Sequence, residues 1–336
     1  MAKIKLSDVA ELAGVSKSTV SQYLNGRFDY MSAKTKERVR LAVSELDYVP
    51  NPIARSLKMD KTKTIGVIVR DITGFYTSRT IRGIDDYCKT SEYNLLIYNT
   101  DVDTDIEARS LEALYQLRVD GIIIASSGKN TDLIEKYSNN GLPIVHFQLE
   151  HDGKEKNIIV SDYRKSAFEG TEYLINLGHR RICFVTQDFE SVKSRKDRYL
   201  GYIDALNKHQ ISIDEQLIQY WDRESGFAHS PISILETPNP PSAFFTQHLA
   251  ITTELLTALN KENISIPDDV SLLGFDDIPM AEFFKVPITV ITQNPYEIGR
   301  EATKLLLDNI NDKGAPPQKI MLPCTLIERL SCKNIK

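Results

Sequence analysis

Apolar residues follow two different rhythms along this chain. At first they recur at helical spacing; from Thr64 onward, short apolar runs alternate with such helical stretches. In the first part Leu6, Val9, Ala10 and Ala13 fall on one face, which predicts an amphipathic helix over Leu6–Ala13. Gly14 supplies a tight turn, and Ser16 stands where a side-chain oxygen caps a second helix over Lys17–Leu24. On that helix Val20 and Leu24 face inward, while Lys17, Ser18, Ser21 and Gln22 share an outward face rich in donors and acceptors. After a loop over Gly26–Met31, Ser32 caps a third helix, Ala33–Leu46, whose Val39, Val43 and Leu46 close a small core. Two short helices joined by a glycine-containing turn make a helix-turn-helix, whose second helix enters the DNA major groove. On these residues alone, a surface hairpin with a hydrated polar face is the competing reading.

From Thr64 the pattern is that of an α/β protein. Strands are predicted at Ile65–Val69, Leu95–Tyr98, Ile122–Ala125, Ile144–Phe147 and Ile158–Val160. A second series follows at Ile182–Val185, Ala243–Phe245, Ser271–Phe275 and Val290–Ile291. Helical patterns lie between them, at Ser78–Thr90, Ile106–Gln116, Asp162–Leu177, Arg198–His209, Ala250–Glu262 and Pro295–Asn309. Buried runs separated by helices predict parallel sheets with right-handed crossovers. About nine strands in two series suggest two Rossmann-like lobes, with the chain crossing near Ser161, Ile291 and Pro323.

Composition refines this picture. A chain of 336 residues exceeds one typical domain, and its 41% apolar and 26% charged residues suit a soluble globular protein. The net charge of −5 argues against nucleic acid if taken globally. Yet residues 1–64 carry 12 Lys+Arg against 7 Asp+Glu, giving +5, while the remainder carries 29 against 39, giving −10. A basic head can meet phosphates while the acidic body repels them. Lys34, Lys36, Arg38 and Arg40 decorate the third helix, either as a hydrated face or as phosphate contacts. Cys88, Cys183, Cys324 and Cys332 form no C-x-x-C spacing, so reduced thiols in a cytosolic protein are the simplest reading. No signal-peptide apolar region and no apolar run of membrane-spanning length is present, so neither export nor insertion is expected.

The stretch YVPNPIARSLKMDKTK follows the third helix. Asn51 is a good N-cap and Pro52 suits the first helical position, leaving one or two turns over about Pro52–Lys58. So short a helix is not stable alone in water and is ordered only when something packs on it. The segments LSDVAELAGVSKSTVSQYLNG, SAKTKERV and YVPNPIARSL, in that order, resemble the lactose-repressor (LacI/GalR) family, and the resemblance continues to the C-terminus.

That resemblance implies a small all-α helix-turn-helix domain over residues 1–50 and a hinge helix or linker over 51–61. It further implies an α/β core of two Rossmann-like lobes resembling periplasmic binding proteins, over 62–161 with 292–323 and 162–291 with 324–336. DNA contacts then fall to Leu6, Ser7, Ser16, Lys17, Ser18, Thr19, Ser21, Gln22 and Asn25 in the head, and to Asn51, Ala54, Arg55 and Leu57 in the hinge. Leu57 matches the leucine that wedges into the central base step of the minor groove. Residues 327–336 are too short for a tetramerising heptad segment, so a homodimer on pseudo-palindromic operator DNA is expected. Family members most often carry Arg where this chain has Gln22; Arg pairs with guanine and Gln with adenine, so a changed base preference is expected there.

With two lobes, the cleft at the carboxyl ends of the strands is the expected ligand site. The resemblance places Phe75, Tyr76, Ser78 and Arg79 there, with Gln148, Ser194, Arg198, Trp221, His248, Asp276 and Gln293. Arg198 fits the family's ligand-binding arginine, Asp276 its hydroxyl-binding aspartate, and Trp221 the aromatic on which ligands stack. The chain departs from the family at His248-Leu249, where Asn-Asp is usual, and at Gln148, where Asp is common. Fewer acids and an added imidazole, beside Arg198 and Arg79, point to an anionic effector: a sugar acid such as ketodeoxygluconate first, a neutral sugar second.

Catalysis finds no support, since G-x-G-x-x-G, a Walker A loop and H-E-x-x-H are all absent from the sequence. SSGKN at Ser126–Asn130 lacks the upstream Gly and the following Ser/Thr of a phosphate loop. His146, Glu150 and His151 read as a strand end with an acidic loop rather than a metal site, and no cofactor is expected. The sequence therefore reads as a cytoplasmic, nucleoid-associated regulator, a repressor of carbohydrate genes under effector control. The alternatives are a catabolite-control-type regulator answering to a phosphorylated carrier protein, and a cytosolic sugar-binding module without a DNA role.

Overall fold

The structure is a computed structural model that describes residues 4–49, 61–151, 155–190, 192–277 and 279–336. It divides into two compact units, one ending at Thr62 and one running from Lys63 to Lys336. In the first, α1 (Leu6–Ala13), α2 (Lys17–Leu24) and α3 (Ala33–Glu45) pack around Val9, Ala10, Ala13, Val20, Val39 and Ala42. α1 ends on Gly14 at φ 60°, the left-handed conformation that suits a residue without Cβ. Ser16 Oγ accepts from the Thr19 amide at 3.1 Å and Ser32 Oγ from the Thr35 amide at 3.2 Å, so both expected caps form. The expected hinge helix over Pro52–Lys58, with Asn51, Ala54, Arg55 and Leu57, lies outside the described residues.

The second unit is a two-lobed α/β body. In chain order its first lobe supplies β1 (Thr64–Val69), α4 (Phe75–Thr90), β2 (Asn94–Asn99), α5 (Thr104–Gln116), β3 (Gly121–Ile124), α6 (Thr131–Asn139), β4 (Ile144–Phe147) and β5 (Ile158–Ser161). The second lobe supplies α7 (Tyr163–Asn176), β6 (Ile182–Thr186), α8 (Lys193–Lys208), β7 (Ile218–Asp222), β8 (Gly226–Phe227), β9 (Ala243–Thr246), α9 (Leu249–Lys261), β10 (Ser271–Phe275) and β11 (Thr289–Thr292). The chain then returns to the first lobe with α10 (Pro295–Asn311) and β12 (Lys319–Leu322), and ends in the second with β13 (Thr325–Ile327). The sheets run β12-β5-β4-β3-β1-β2 and β13-β11-β10-β9-β6-β7-β8. Pairing is parallel except for β8 on β7 and β13 on β11.

Each sheet is covered on both faces, which is why its central strands are near-continuous apolar runs. Ile65, Val67, Ile84 and Leu306 fill one side of the first sheet, and Ile68, Leu111, Leu114 and Ile122 the other. Phe184, Tyr202 and Phe245 fill one side of the second sheet, and Val185, Phe244 and Leu255 the other. α7 and α8 cross so closely at Gly201 that a Cβ there would collide with the Arg164 carbonyl oxygen. That contact fixes α8, which carries Ser194, Arg195 and Arg198.

The described residues hold thirteen strands, four more than the nine expected. β7, β8, β12 and β13 are short elements at or next to the sheet edges and carry no buried apolar run. α6 was not expected either, because its nine residues TDLIEKYSN bury only Ile134 and Tyr137. β3 ends at Ile124 rather than Ala125. Among the described residues no helix is long and apolar enough to cross a membrane.

Candidate nucleic-acid and effector sites

On α2, Lys17, Ser18 and Gln22 are exposed, and neither Lys17 nor Gln22 makes a side-chain hydrogen bond among the described residues. Ser16 and Thr19 are engaged in starting the helix, with Ser16 Oγ 2.6 Å from Ser18 Oγ and 2.8 Å from Thr19 Oγ1. Asn25 Nδ2 donates to the Ser21 carbonyl at 2.8 Å, Ser7 Oγ donates to Asp8 at 3.2 Å, and Leu6 packs against the head's core. On α3, three of the four cations have partners within the head. Arg38 Nη2 donates to the Ala13 carbonyl and, at 2.8 Å, to that of Gly14; Arg40 pairs with Glu37 at 2.7 Å; Lys36 lies 3.9 Å over the Phe28 ring. Lys34 remains exposed, as does Tyr30, 99% accessible in the loop between α2 and α3 and not singled out from sequence.

Arg198 centres the second candidate site. Its guanidinium lies 3.9 Å from the Tyr163 ring centroid and 4.4 Å from that of Phe275, and Nη1 donates to the Ser194 carbonyl at 3.1 Å. Its Nε is buried with no partner among the described residues. Asp276 follows β10 at φ 73° and accepts from Gln293 Nε2 at 2.7 Å. Gln293 Oε1 in turn accepts from Ser161 Oγ at 2.7 Å and the Tyr163 hydroxyl at 3.0 Å. That hydroxyl also donates to the carbonyl of Gln148, which stands after β4 at φ 72°. Strained backbone at the ends of two strands, in two lobes, meets at this one spot. Burial raises the Asp276 carboxyl above its ordinary range, against the lowering effects of Arg198 and the Gln293 hydrogen bond. The Tyr76 hydroxyl is also buried without a partner among the described residues.

Three further arginines converge beside Arg198, none of them singled out from sequence. Arg70 directly follows β1 and its Nε is buried without a partner among the described residues. Burial lowers its pKa first and Arg223 second. Arg195, one helical turn before Arg198, donates from Nη1 to the Asp188 carbonyl at 2.8 Å. Burial, then Arg70 and Arg198, push Arg195 down to about 10, against Asp188 and Asp222. Arg223, between β7 and β8, donates to Asp71 Oδ2 at 3.0 Å and ties the second lobe to the first. His248 caps α9, its Nδ1 accepting from the Ala250 amide at 3.2 Å, which places the ring proton on Nε2. Burial, then Arg198, Arg195, Arg223 and Arg70, push its pKa down to about 3. His248 is thus a neutral donor, so the added imidazole of the sequence argument contributes a hydrogen bond and no charge.

Other expected site residues make different contacts. Phe75, Ser78 and Arg79 are exposed at the start of α4, and Ser78 lines a groove with Leu95 and Ile97. The Ser194 hydroxyl accepts from the Glu150 amide at 2.8 Å and so joins the lobes. Trp221 packs in the apolar cluster with Val185 and Leu217 and donates Nε1–H to Glu254.

The remaining groups have structural partners. Glu107 is buried and accepts from the Ser127 amide and hydroxyl at 2.7 and 2.8 Å and from Asn130 at 2.9 Å, which anchors the SSGKN loop. Glu150 pairs with Lys319 at 2.6 Å, and His151 with Glu155 at 3.3 Å. His146 and His151 line a separate small cavity of about 50 Å³. All four cysteines are free thiols.

Comparison with known proteins bears on both sites. Residues 5–51 match the model described as "Bacterial regulatory proteins, lacI family", and residues 171–332 match "Periplasmic binding protein-like domain". The chain is 34% identical over 310 residues to the probable HTH-type transcriptional regulator EndR of Paenibacillus polymyxa, covering 92% of this chain and 91% of that one. It is 32% identical to the HTH-type transcriptional repressor PurR of Vibrio atlanticus (strain LGP32), over the full length of both. Among solved structures it resembles the transcriptional regulator CelR in complex with cellobiose, at TM-score 0.72 and 27% identity, covering 98% of this chain and 99% of that one. It also resembles the lac repressor bound to ONPG in the repressed state, at TM-score 0.82 and 25% identity, with 98% and 99% covered.

Proposed function

The chain belongs to the LacI family of DNA-binding transcriptional repressors, and on that premise we propose that its operator affinity is set by an anionic, sugar-like effector bound between the two core lobes. A sugar acid is preferred over a neutral sugar. The observation that carries this reading is the convergence of Arg70, Arg195, Arg198 and Arg223, with Nε of Arg70 and Arg198 and the Tyr76 hydroxyl buried and unpartnered among the described residues. A buried donor left unsatisfied costs about 1–3 kcal/mol, and a carboxylate is the acceptor best matched to a guanidinium. The Asp276–Gln293–Tyr163 chain offers acceptors and donors suited to hydroxyls.

Burial of these donors favours a small molecule over a carrier protein, which cannot reach them. In this reading two chains form a homodimer whose heads meet a pseudo-palindromic operator, with Lys17, Ser18 and Gln22 reading bases. The effector acts on contacts that join the lobes, Asp71–Arg223 and Glu150–Ser194 among them, and through the lobe angle on the linker over residues 51–61. Effector and operator then change each other's affinity reciprocally. Calorimetric titration of the full chain with gluconate and ketodeoxygluconate, against glucitol, ribose and cellobiose, tests the effector class. Binding of the neutral sugars alone would overturn it.

A further inference from the structure

Resting on the anionic reading of the cleft, we propose that the effector carries a second anionic group, a phosphate ester or a further carboxylate, held by Arg70, Arg195 and Arg223. The site has two chemically different ends that share Arg198. At one end Asp276, Gln293, Tyr163 and Tyr76 offer hydrogen bonds suited to hydroxyls. At the other stand three more guanidinia, contributed from both lobes: Arg70 from the end of β1, Arg195 from the first turn of α8, Arg223 from the turn after β7. A single carboxylate is satisfied by one bidentate guanidinium. Arg198 already supplies one, so a monoanion held there leaves the buried Nε of Arg70 unpaired among the described residues.

Carboxylates near these arginines leave Nε of Arg70 and of Arg198 unpaired among the described residues. Asp71 pairs with Arg223 at 3.0 Å, and Glu107, buried beside Arg70, is fully engaged with Ser127 and Asn130. Asp188 and Asp222 lie near Arg195 but are exposed to water, where their charge is screened. Burial first, and neighbouring arginines second, loosen the hold of Arg70 and Arg195 on their protons, and an anion placed beside them offsets both effects. The Nε2–H of His248 completes the set as a neutral donor. An anionic group with several acceptor oxygens matches this end; a hydroxyl does not.

Binding of gluconate, glucarate, gluconate 6-phosphate and glucitol to the full chain is to be compared calorimetrically at constant ionic strength, with inorganic phosphate tested alone by its effect on the melting temperature. At least one of glucarate and gluconate 6-phosphate, called the dianions here for their added anionic group, should bind roughly tenfold or more tighter than gluconate, the gain of one added charge-assisted contact. Which of the two gains distinguishes phosphate from dicarboxylate. Arg195→Gln should weaken the more highly charged ligand far more than gluconate, reducing that gain below about threefold, and Arg195→Lys should recover part of it. Arg198→Gln should weaken all the anions. Cooperative melting of each variant shows that it folds. Gluconate binding as tightly as both dianions, or a dianion preference that survives Arg195→Gln and Arg70→Gln, overturns this inference and leaves the anionic reading standing. Glucitol binding as tightly as gluconate, or no binding of any anion and no phosphate effect, overturns both.

Discussion

Replacing Arg198 with alanine removes the group on which both ends of the cleft depend. In the structure its guanidinium is held between two rings at 3.9 and 4.4 Å and by the Ser194 carbonyl at 3.1 Å, with Nε facing no partner among the described residues. Each charge-assisted hydrogen bond to an anion is worth about 1.5–3 kcal/mol, and a bidentate pair therefore roughly 3–5 kcal/mol. At 1.4 kcal/mol per factor of ten, the anion should bind some two to four orders of magnitude more weakly. Stability should change much less. Two cation–π contacts of about 1–2 kcal/mol each are lost, but so is the cost of burying a charge at 6% exposure. The assay is calorimetry with gluconate or ketodeoxygluconate, with Trp221 fluorescence following the melt. A loss of affinity below about threefold in a normally melting variant would refute the role assigned to Arg198.

Acid should destabilise the core, because burial lowers the pKa of His146 to about 4 and of His248 to about 3 and also lowers that of His179. These rings take up protons on unfolding, so their contribution is intact above about pH 6.5 and is lost as the pH falls, by about 2 kcal/mol each for His146 and His248 at pH 5. Asp276, raised in the folded state, works in the opposite direction but is a single group. Denaturant midpoints read from Trp221 at pH 7 and pH 5 check the sign, and an unchanged or higher midpoint at pH 5 contradicts it. Gly201→Ala should cost about 1–3 kcal/mol by forcing α8 off α7, and should weaken anion binding through displacement of Arg195 and Arg198; an unshifted melting temperature would show that the crossing yields freely. Gln22→Arg should move the preferred base in each half-site from adenine to guanine in a selection from random DNA, and an unchanged preference removes Gln22 from base readout.

The head was legible because its signals are local. Ser16, Ser32 and Gly14 act within one turn of where they stand, and the apolar face of α1 needs no distant partner. The two-lobed body was legible from its central strands, whose burial on both faces leaves unbroken apolar runs. Edge strands such as β12 lack that imprint, since half of each faces water. At the cleft, position-by-position resemblance pointed to Arg198, Asp276 and Gln293, which the fold brings together. It gave no reason to single out Arg70, Arg195 and Arg223. Their convergence depends on strand ends from both lobes, and only the position of Arg70 directly after a strand run hinted at it. Sequence also cannot assign charge to His248, because burial, with four arginines distant in sequence, sets its protonation.

Operator affinity measured with and without the effector tests the central claim most directly. An operator obtained by selection, labelled and titrated with the full chain, should change its affinity about 5–150-fold when a sugar acid is added. Operator-bound protein should show the same factor in its affinity for the acid, while glucitol changes nothing. An anion that binds the chain yet leaves operator affinity untouched, or a neutral sugar that shifts it while every anion is silent, would contradict the account.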